Sequence, residues 1–444
     1  MPRPARRLPV LLLTLLLAAL PACAQTSHPR PGIGSTVLYE ANTRQMTEAG
    51  TFDALRERLP AIKALGVGVL WLMPIHPIGE EKRLGTLGSY YAVRDYTAVN
   101  PEFGTKEDLD ELIAAAHELG MLVILDWVPN HTAWDHPWIT EHPERYTRDE
   151  DGEIVSPMNW SDVADLNFDE PSTATAMIEA MRYWIETHDI DGFRCDYAEG
   201  VPAEFWTRAI DELRRIKPLF FLAEAHAEWL LDCGFDALFG WGAGDGVLHA
   251  RRNDGDTENL RGYLDRHVLK REHLVRETFR VHFTSNHDWN SWDGTALDRF
   301  GPAWEAGSVL IYTLPGMPMV YSGQEAGIER QLQFFEKDRI EWREHPSGDL
   351  LRKLGAIKSR NPALRHGDRG ASYQRLRLAD DSSVLAFKRR KGADEVVVVV
   401  NLSPETVAIN PTTLRGTWTD LDGQPANLPE SLPAWGWVVL EKTD

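Results

Sequence analysis

The chain has 444 residues, of which 43% are hydrophobic and 26% charged, a balance typical of a globular protein with a large core. Its formal net charge of -20 argues against a nucleic-acid-binding function and leaves no basic patch for anionic lipids. An acidic excess of this kind usually serves solubility.

Residues 1–24 have the composition of an export signal. Three arginines among the first seven residues precede an apolar run, residues 8–20, and the small-residue sequence Ala22-Cys23-Ala24. The run is too short for a comfortable membrane span. Cleavage after this sequence would release the protein, whereas a bacterial lipoprotein signal would leave Cys23 lipidated and the protein attached to a membrane. Both predict a protein outside the cytoplasm, either periplasmic, secreted or lipid-anchored at the bacterial cell envelope. Only two cysteines lie beyond the signal, so we expect no disulfide framework.

Beyond residue 35, strand-like runs alternate with amphipathic helical patterns, which is typical of parallel βα units. We expect eight strands over residues 32–368 and therefore a (β/α)8 barrel, or TIM barrel. Several runs are almost entirely apolar, as strands buried on both faces should be. The runs that can be located are Thr36–Tyr39, Gly68–Pro74, Leu122–Val128, Ile190–Tyr197, Phe220–Ala223, Val281–Thr284 and Met319–Tyr321.

The clearest helix signal follows Thr105. Asp108 stands three residues later, as in a capping box, and an apolar face recurs at helical spacing from Leu109 to Ala116. Gly120 is a suitable stop. The sequence therefore predicts a helix that opens at Thr105 and leads into the third strand.

Two segments depart from the repeat. Residues 132–164, after the third strand, form a polar insert with tryptophans and prolines and no helical period. Residues 369–444 contain strand-like runs at Val384–Lys388, Glu395–Asn401 and Trp435–Leu440 with turn residues between them. This pattern predicts a C-terminal all-β domain, an antiparallel sandwich.

Polar and ionisable residues stand at the ends of four predicted strands. They are Asp126–His131 after the third strand, Arg194 with Asp196 after the fourth, Glu224 after the fifth, and Asn286–Asp288 after the seventh. The carboxyl ends of barrel strands converge on one face, where the active sites of this fold lie. The set contains no cysteine cluster, and the chain has no HExxH pair, so it does not indicate a zinc site.

Side chains alternate along a strand, so Arg194 and Asp196 share one face. The arginine would keep the carboxylate ionised, either as a nucleophile or as half of a structural ion pair, and these two residues alone do not decide between the two. Glycoside hydrolysis needs one ionised carboxylate and one protonated one. We expect neighbouring carboxylates to keep Glu224 protonated, which would complete such a pair.

Four segments together carry a resemblance to a known family. The segments 126–131, 191–196, 221–224 and 286–288 match, in order and spacing, the four main motifs of the α-amylase family of retaining glycoside hydrolases. The segment 165–167 matches a fifth motif, and residues 316–325 resemble the last barrel strand of that family. The match covers nearly all of the chain beyond the signal.

The resemblance implies a role for each catalytic carboxylate. Asp196 would be the nucleophile, Glu224 the general acid/base, and Asp288 a third carboxylate that stabilises the transition state. It also implies a set of substrate-binding residues, with a sugar-stacking tyrosine, two sugar-binding histidines and an arginine that holds the nucleophile: Tyr91, His131, His287 and Arg194. For Tyr91, a surface loop aromatic is the alternative.

The resemblance further implies a structural calcium ion at Asn130 and Asp165, whose oxygens suit that ion, and no organic cofactor. The chain departs from the family at Glu199-Gly200, where a Lys-His pair is frequent, and at Ser89, where a histidine is frequent. Loss of the histidine after the nucleophile weakens the case for calcium.

The expected activity is hydrolysis of α-1,4-glucosidic bonds in starch, glycogen or maltooligosaccharides through a covalent intermediate. A glucanotransferase or an α-1,6-acting glucosidase of the same family is the enzymatic alternative. A non-catalytic glycan-binding relative is a third reading. Because such relatives tend to lose catalytic carboxylates, the presence of all three here argues against it.

Overall fold

A computed structural model describes residues 33–269, 278–367, 371–378, 382–410 and 414–443. The predicted export signal, including Cys23, lies outside these residues. Among the residues described, no helix is both long and apolar enough to cross a bilayer.

Eight parallel strands form a closed barrel, which confirms the predicted (β/α)8 fold. In chain order they are β1 (Val37–Ala41), β2 (Val67–Leu72), β3 (Leu122–Trp127), β4 (Gly192–Cys195), β5 (Phe220–Ala223), β6 (Ala237–Phe239), β7 (Phe279–Phe283) and β8 (Met317–Tyr321).

Each barrel strand pairs with its neighbours in the chain, and β1 closes the barrel against β8 with Leu38 opposite Met319. The strand β6 has only three residues, Ala237–Phe239, and no strand-like run is predicted for it. A segment this short shows neither a clear period nor a sustained apolar run, so the strand is recognisable only from its pairing with β5 and β7.

Helices surround the barrel and occupy the connections between strands. The α-helices are Thr43–Met46, Phe52–Arg56, Leu59–Lys63, Lys106–Glu118, Trp138–Glu141, Pro171–His188, Ala203–Arg214, Trp229–Asp232, Trp241–Arg252, Glu258–Tyr263, Ala296–Phe300, Trp304–Thr313 and Pro346–Arg360. Short 3-10 turns lie at Pro143–Arg145, Ala198–Gly200, Gly301–Ala303, Gln324–Ala326 and Pro362–Leu364, and π-helical turns at Leu264–Leu269 and Trp289–Asp293.

The helix Lys106–Glu118 begins as predicted. The Thr105 hydroxyl accepts the backbone N–H of Asp108 at 3.2 Å, and the Asp108 carboxylate accepts the backbone N–H of Thr105 at 2.8 Å. Both halves of the capping box are therefore present. Gly120, with φ of +67°, adopts the left-handed backbone that follows a helix end.

The insert after β3 is tied to the barrel by a short hairpin. The strands His131–Ala133 and Val163–Asp165 pair antiparallel, with His131 opposite Asp165. This pairing brings the far end of the insert back to the carboxyl end of β3. It also places His131 beside the loop that contains Trp160.

The chain after the barrel forms antiparallel sheets, as predicted. The main sheet contains Ser372–Arg375, Val384–Lys391, Asp394–Asn401, Trp437–Lys442 and Trp418–Thr419 in that spatial order, and Val407–Ala408 pairs with Ser431–Leu432.

The strand Asp394–Asn401 carries five consecutive valines, residues 396–400, and all are fully buried. Alternation sends Val396, Val398 and Val400 into the core shared with the barrel. Val397 and Val399 instead join a smaller core between the C-terminal sheets. The strand is therefore apolar on both faces because it separates two cores.

Arg389, on the strand Val384–Lys391, connects the C-terminal sheet to the barrel. Its side chain is fully buried and donates to the backbone carbonyls of Thr313 and Arg365, each at 3.0 Å. Thr313 ends the helix Trp304–Thr313, where the helix dipole favours a cation.

Candidate active site

A cleft of about 450 Å³ opens at the carboxyl ends of the barrel strands. Six of the seven residues predicted for catalysis or substrate binding line it. They are Tyr91, His131, Asp196, Glu224, His287 and Asp288. The seventh, Arg194, lies beneath the cleft floor, where its side chain is 0% exposed.

Arg194, on β4, joins the carboxylates at the floor of the cleft. One guanidinium nitrogen, Nη1, lies 2.8 Å from Asp126 Oδ1 and 3.0 Å from Asp196 Oδ1. The other, Nη2, lies 2.8 Å from Glu224 Oε2, although it is not aligned for a hydrogen bond. The side chains of Asp196 and Glu224 are 12% and 19% exposed, so both carboxylates can reach a ligand in the cleft.

The protonation of these two carboxylates differs from our expectation. Burial and the nearby carboxylates of Glu224, Asp126 and Asp288 raise the pKa of Asp196 well above its usual range, although Arg194 acts in the opposite direction. Burial acts to raise the pKa of Glu224 as well, but Arg194 and the backbone N–H of Tyr197 lower it below its usual range.

The expected order, with Asp196 ionised and Glu224 protonated, is therefore wrong for the ligand-free site. The reason is geometric. Arg194 divides its charge among Asp126, Asp196 and Glu224, and of the last two Glu224 receives an additional N–H, from Tyr197 at 3.1 Å. Before substrate binds, this arrangement favours the proton on Asp196 rather than on Glu224.

Tyr91 is buried, which rules out a surface loop aromatic. Its hydroxyl lies 3.1 Å from Asp126 Oδ2 and 2.9 Å from His287 Nε2, and its ring stacks on that of His287 at 5.3 Å. Trp71, on β2, also donates to Asp126 Oδ2, at 3.1 Å. These contacts fix the ring of Tyr91 in the cleft wall, with its exposed part available to a ligand.

His131 and His287 both line the cleft and differ in charge. Burial lowers the pKa of His131 to about 4, so this side chain is neutral at neutral pH. Burial opposes protonation of His287 too, but the carboxylates of Asp288 and Glu40 raise its pKa to about 9. The side chain of Asp288 is 44% exposed and lies 3.4 Å from His287 Nε2.

The sequence analysis missed Glu40, which is fully buried on β1 and lies 2.5 Å from His287 Nδ1. The predicted first strand ended at Tyr39, two residues before the observed end at Ala41. A carboxylate inside an otherwise apolar strand was the signal that could have identified it, because such a group is seldom buried without a partner.

The cleft rim is aromatic, and the sequence analysis missed this as well. Its members lie on the insert, at the start of a helix, in a π-helical turn and on a loop, all far apart in the chain, so no local motif marks them: Trp160, Trp241, Trp292, Phe334 and Phe335. Trp292 is 57% exposed, and its ring lies 5.4 Å from that of Phe334 in a tilted arrangement. Exposed aromatic faces of this kind suit the apolar C–H faces of sugar rings.

Asn130 and Asp165 lie close together, because the N–H of Leu166 donates to the backbone carbonyl of Asn130 at 3.1 Å. Within the described ranges, no group of three or more His, Cys, Asp or Glu side chains could hold a metal ion. The carbonyl of Asp165 already accepts the N–H of Thr147 at 3.0 Å. The donor set thus offers few free oxygens, and it does not fit a tight calcium site with six to eight ligands.

The family model described as "Alpha amylase, catalytic domain" matches residues 39–153. The chain is 28% identical to the α-amylase MalA of Haloarcula japonica, over 84% of this chain and 56% of the relative. It is also 28% identical to α-1,4-glucan:maltose-1-phosphate maltosyltransferase 1 of Streptomyces coelicolor, over 81% of this chain and 56% of the relative. The chain thus spans little more than half the length of these curated relatives.

Among solved structures, an α-amylase from Lactobacillus plantarum superposes with a TM-score of 0.81 and 28% identity, covering 93% of this chain and 99% of that one. The fold, the cleft and these matches agree in their assignment. All of them point to similarity with the α-amylase family.

Proposed function

We propose that the protein is a retaining glycoside hydrolase that cleaves α-1,4-glucosidic bonds in starch, glycogen or maltooligosaccharides. The observation that carries this proposal is the contact of one buried guanidinium with both Asp196 and Glu224 at the floor of an aromatic cleft. A retaining mechanism requires two carboxyl groups close enough for one to attack and the other to protonate.

In the first step, a carboxylate oxygen of Asp196 attacks the anomeric carbon as the glycosidic C–O bond breaks. Glu224 gives its proton to the departing oxygen, which leaves a β-linked glycosyl-enzyme and an ionised Glu224. In the second step, Glu224 takes a proton from water, whose oxygen attacks the same carbon and releases Asp196. The product keeps the α configuration.

This sequence requires the proton on Glu224 and not on Asp196 once the sugar is bound. Arg194 contacts both carboxylates, so its charge stabilises whichever of the two is ionised. The exposed Asp288 faces the sugar and stabilises the positive charge that develops in the transition state. The neutral His131 and the ring of Tyr91 would orient the same sugar.

The direct test is the product profile on starch, pullulan and short maltooligosaccharides. We expect shorter α-configured products from starch and maltooligosaccharides, and loss of this activity in Asp196→Asn and Glu224→Gln proteins that keep the parent melting temperature. Absence of any product from all three substrates, with a folded parent protein, would contradict the proposal.

A second candidate function is glucan transfer, in which a sugar hydroxyl replaces water in the second step. The observation that favours it is the aromatic rim, including the partly exposed Trp292, which can bind an acceptor sugar and exclude water. One of the relatives is also a maltosyltransferase. Products longer than the substrate, formed from a pure maltooligosaccharide, would assign transfer.

Release of linear products from pullulan would assign α-1,6 cleavage.

We also propose a weak calcium site, with Asn130 and Asp165 as side-chain ligands and water molecules as the remaining ligands. Affinities of about 10⁻⁴–10⁻³ M are typical of the weaker calcium modules. We expect millimolar calcium to raise the melting temperature and a chelator to reverse the rise, with no response in Asp165→Asn. An unchanged melting temperature in the parent protein would contradict the proposal.

We also propose that residues 1–24 direct export. The arginines, the apolar run and the Cys23 context support this proposal. Mass spectrometry of protein from a bacterial host tests it, since a free N-terminus after Ala24 and a diacylglycerol-modified Cys23 differ in mass. An unprocessed N-terminus on cytoplasmic protein would contradict it.

A further inference from the structure

Glu40 is a buried carboxylate for which the mechanism above has no role. It lies on β1 with 0% exposure, and Oε1 is 2.5 Å from His287 Nδ1 and 3.4 Å from the backbone nitrogen of His287. Its other oxygen, Oε2, has no hydrogen-bond partner among the described residues. An isolated buried carboxylate is costly, so its pairing with His287 has to offset most of that cost.

The directions of the hydrogen bonds around His287 define its protonation. Asp126 accepts from Arg194 at Oδ1 and from Trp71 at Oδ2, and the remaining bond at Oδ2 is donated by the Tyr91 hydroxyl. The hydroxyl has a single hydrogen, and with that hydrogen directed at the Asp126 carboxylate its oxygen accepts from His287 Nε2, 2.9 Å away.

Glu40, as a carboxylate, can likewise only accept from Nδ1. Both ring nitrogens of His287 therefore carry hydrogen, and the ring is an imidazolium.

We propose that Glu40 is a positioning residue that keeps His287 in its imidazolium form. His287 is then the second buried cation of the active site, beside Arg194. The role in catalysis rests on the proposed function, whereas the protonation of His287 does not. The imidazolium is balanced by Glu40 behind it and Asp288 in front of it, at 2.5 and 3.4 Å. It would hold Asp288 in its sugar-facing position.

The other elements packed around His287 contribute opposing charges. Asp126 on β3 and Glu224 after β5 favour the imidazolium, and Arg194 on β4 disfavours it. Burial also disfavours it, yet the pKa of His287 is raised to about 9, with Asp288 and Glu40 as the largest favourable contributions. The neighbouring Tyr91 hydroxyl adds an acceptor but no charge at neutral pH.

The first experiment titrates His287 by NMR in protein labelled with ¹³C-histidine, with His287→Gln used to assign the signal. In the parent protein we expect the midpoint near pH 9, since the pKa is raised to about 9. In Glu40→Gln, which keeps the side-chain shape, we expect it to fall by about one pH unit or more. A parent His287 that is neutral at pH 7 would overturn the proposal, even if the Glu40 variant failed to fold.

The second experiment compares kcat/KM against pH for an aryl maltooligosaccharide. We expect Glu40→Gln to move the alkaline limb to lower pH by about one unit or more, which reduces kcat/KM about twofold or more at pH 8 and about fivefold or more at pH 9. In a His287→Gln background, Glu40→Gln should add little, because it acts through His287. A folded Glu40→Gln protein with the parent profile would overturn the proposal.

Glu325→Gln is the matched control. The Glu325 carboxylate accepts from the hydroxyl of Tyr39, the residue before Glu40 on β1, at 2.7 Å, and it lies in a pocket away from the cleft. Successive side chains point to opposite faces of a strand, so this control removes a similar carboxylate on the outer side of β1.

We expect the His287 midpoint and the pH profile to stay at their parent values in Glu325→Gln. If no glucan is hydrolysed while the NMR midpoints behave as expected, the proposed function fails and the assignment of Glu40 stands.

Discussion

At the scale of single residues, the chemistry depends on which carboxylate holds one proton. Arg194 contacts Asp126, Asp196 and Glu224, and the Tyr197 amide adds a donor only at Glu224. In the ligand-free site, Glu224 therefore holds the negative charge more readily than Asp196 does. A bound sugar therefore has to shift the proton from Asp196 to Glu224 before catalysis begins. An experiment that distinguishes the nucleophile from the acid/base is therefore informative.

We predict that azide rescues the two carboxylate variants with opposite stereochemistry. Glu224→Ala still forms the β-linked intermediate from an α-glycoside with a good leaving group, and azide in place of water then gives the α-glycosyl azide. Asp196→Gly forms no such intermediate, so azide attacks the substrate itself and gives the β-glycosyl azide. Without azide and with a poor leaving group, Glu224→Ala should lose about 10²- to 10⁴-fold in rate.

NMR of the azide products checks this prediction. Glu199→Gln serves as the control, because Glu199 also lines the cleft but has no role in the two chemical steps. This variant should hydrolyse the substrate and give no glycosyl azide. The same azide anomer from both carboxylate variants would contradict the assignment of the nucleophile and the acid/base.

The sequence was sufficient to bring Asp196, Glu224, Asp288 and their neighbours into one cleft, since these residues stand in motifs at strand ends. It was not sufficient for their protonation, which depends on how one guanidinium divides its charge. It also could not reveal Glu40, whose partner His287 is distant in the chain and adjacent only because β1 lies close to the end of β7.

At the scale of elements, the spacing between β4 and β5 depends on a glycine. Gly192 opens β4 with φ of +148°, and an added Cβ would lie 1.9 Å from the carbonyl oxygen of Phe220. A side chain there would push apart the two strands that carry Arg194, Asp196 and Glu224. The glycine in the sequence Asp191–Asp196 is therefore needed for strand packing.

We predict that Gly192→Ala lowers the free energy of unfolding by about 3 kcal/mol or more, because backbone atoms cannot yield as side chains do. Gly152→Ala is the control, since Gly152 also has a left-handed φ of +85° but no atom within 4 Å of its added Cβ. It should cost only the backbone strain, about 1 kcal/mol. Urea unfolding of both variants checks the difference, and equal losses would contradict the packing argument.

Most elements were predictable because their periodicity is strong, as in the helix Lys106–Glu118 and the apolar strand β3. The errors occurred where length or tertiary pairing decides the structure. The strand β6 is too short to show a pattern, and the C-terminal strand Val384–Lys391 continues for three residues beyond the predicted end at Lys388. Its added residues include Arg389, which is buried only because it reaches the barrel.

At the scale of the whole molecule, several buried histidines are held neutral by the fold. Burial lowers the pKa of His76 and of His282 to about 4 and that of His136 to about 3. Burial, followed by the nearby charge of Lys358, holds the pKa of His366 well below its usual range. Each depressed pKa means that the unfolded chain binds the proton more readily.

These histidines contribute their full stability above about pH 6.5, the ordinary histidine pKa, and lose it as the pH falls toward 4. Buried carboxylates with raised pKa values change the unfolding free energy with pH in the opposite direction. The contribution of one histidine therefore has to be measured by substituting that histidine alone. We predict that His366→Phe, which keeps a ring against Phe279, reduces the pH dependence of the unfolding free energy by up to about 1.4 kcal/mol per pH unit.

Urea unfolding at pH 5, 6 and 7 checks this prediction. Identical slopes for His366→Phe and the parent would contradict a neutral, buried His366.

The five consecutive valines of the strand Asp394–Asn401 have a consequence during biosynthesis. The strand Val384–Lys391 leaves the ribosome first and can pair along one edge. The other edge stays unpaired until Trp437–Lys442 has been translated. In that interval an apolar segment with unpaired amides is open to other nascent chains, and segments of this composition stack readily into intermolecular sheets. Yield in a foreign host should therefore depend on how quickly the last strand is translated.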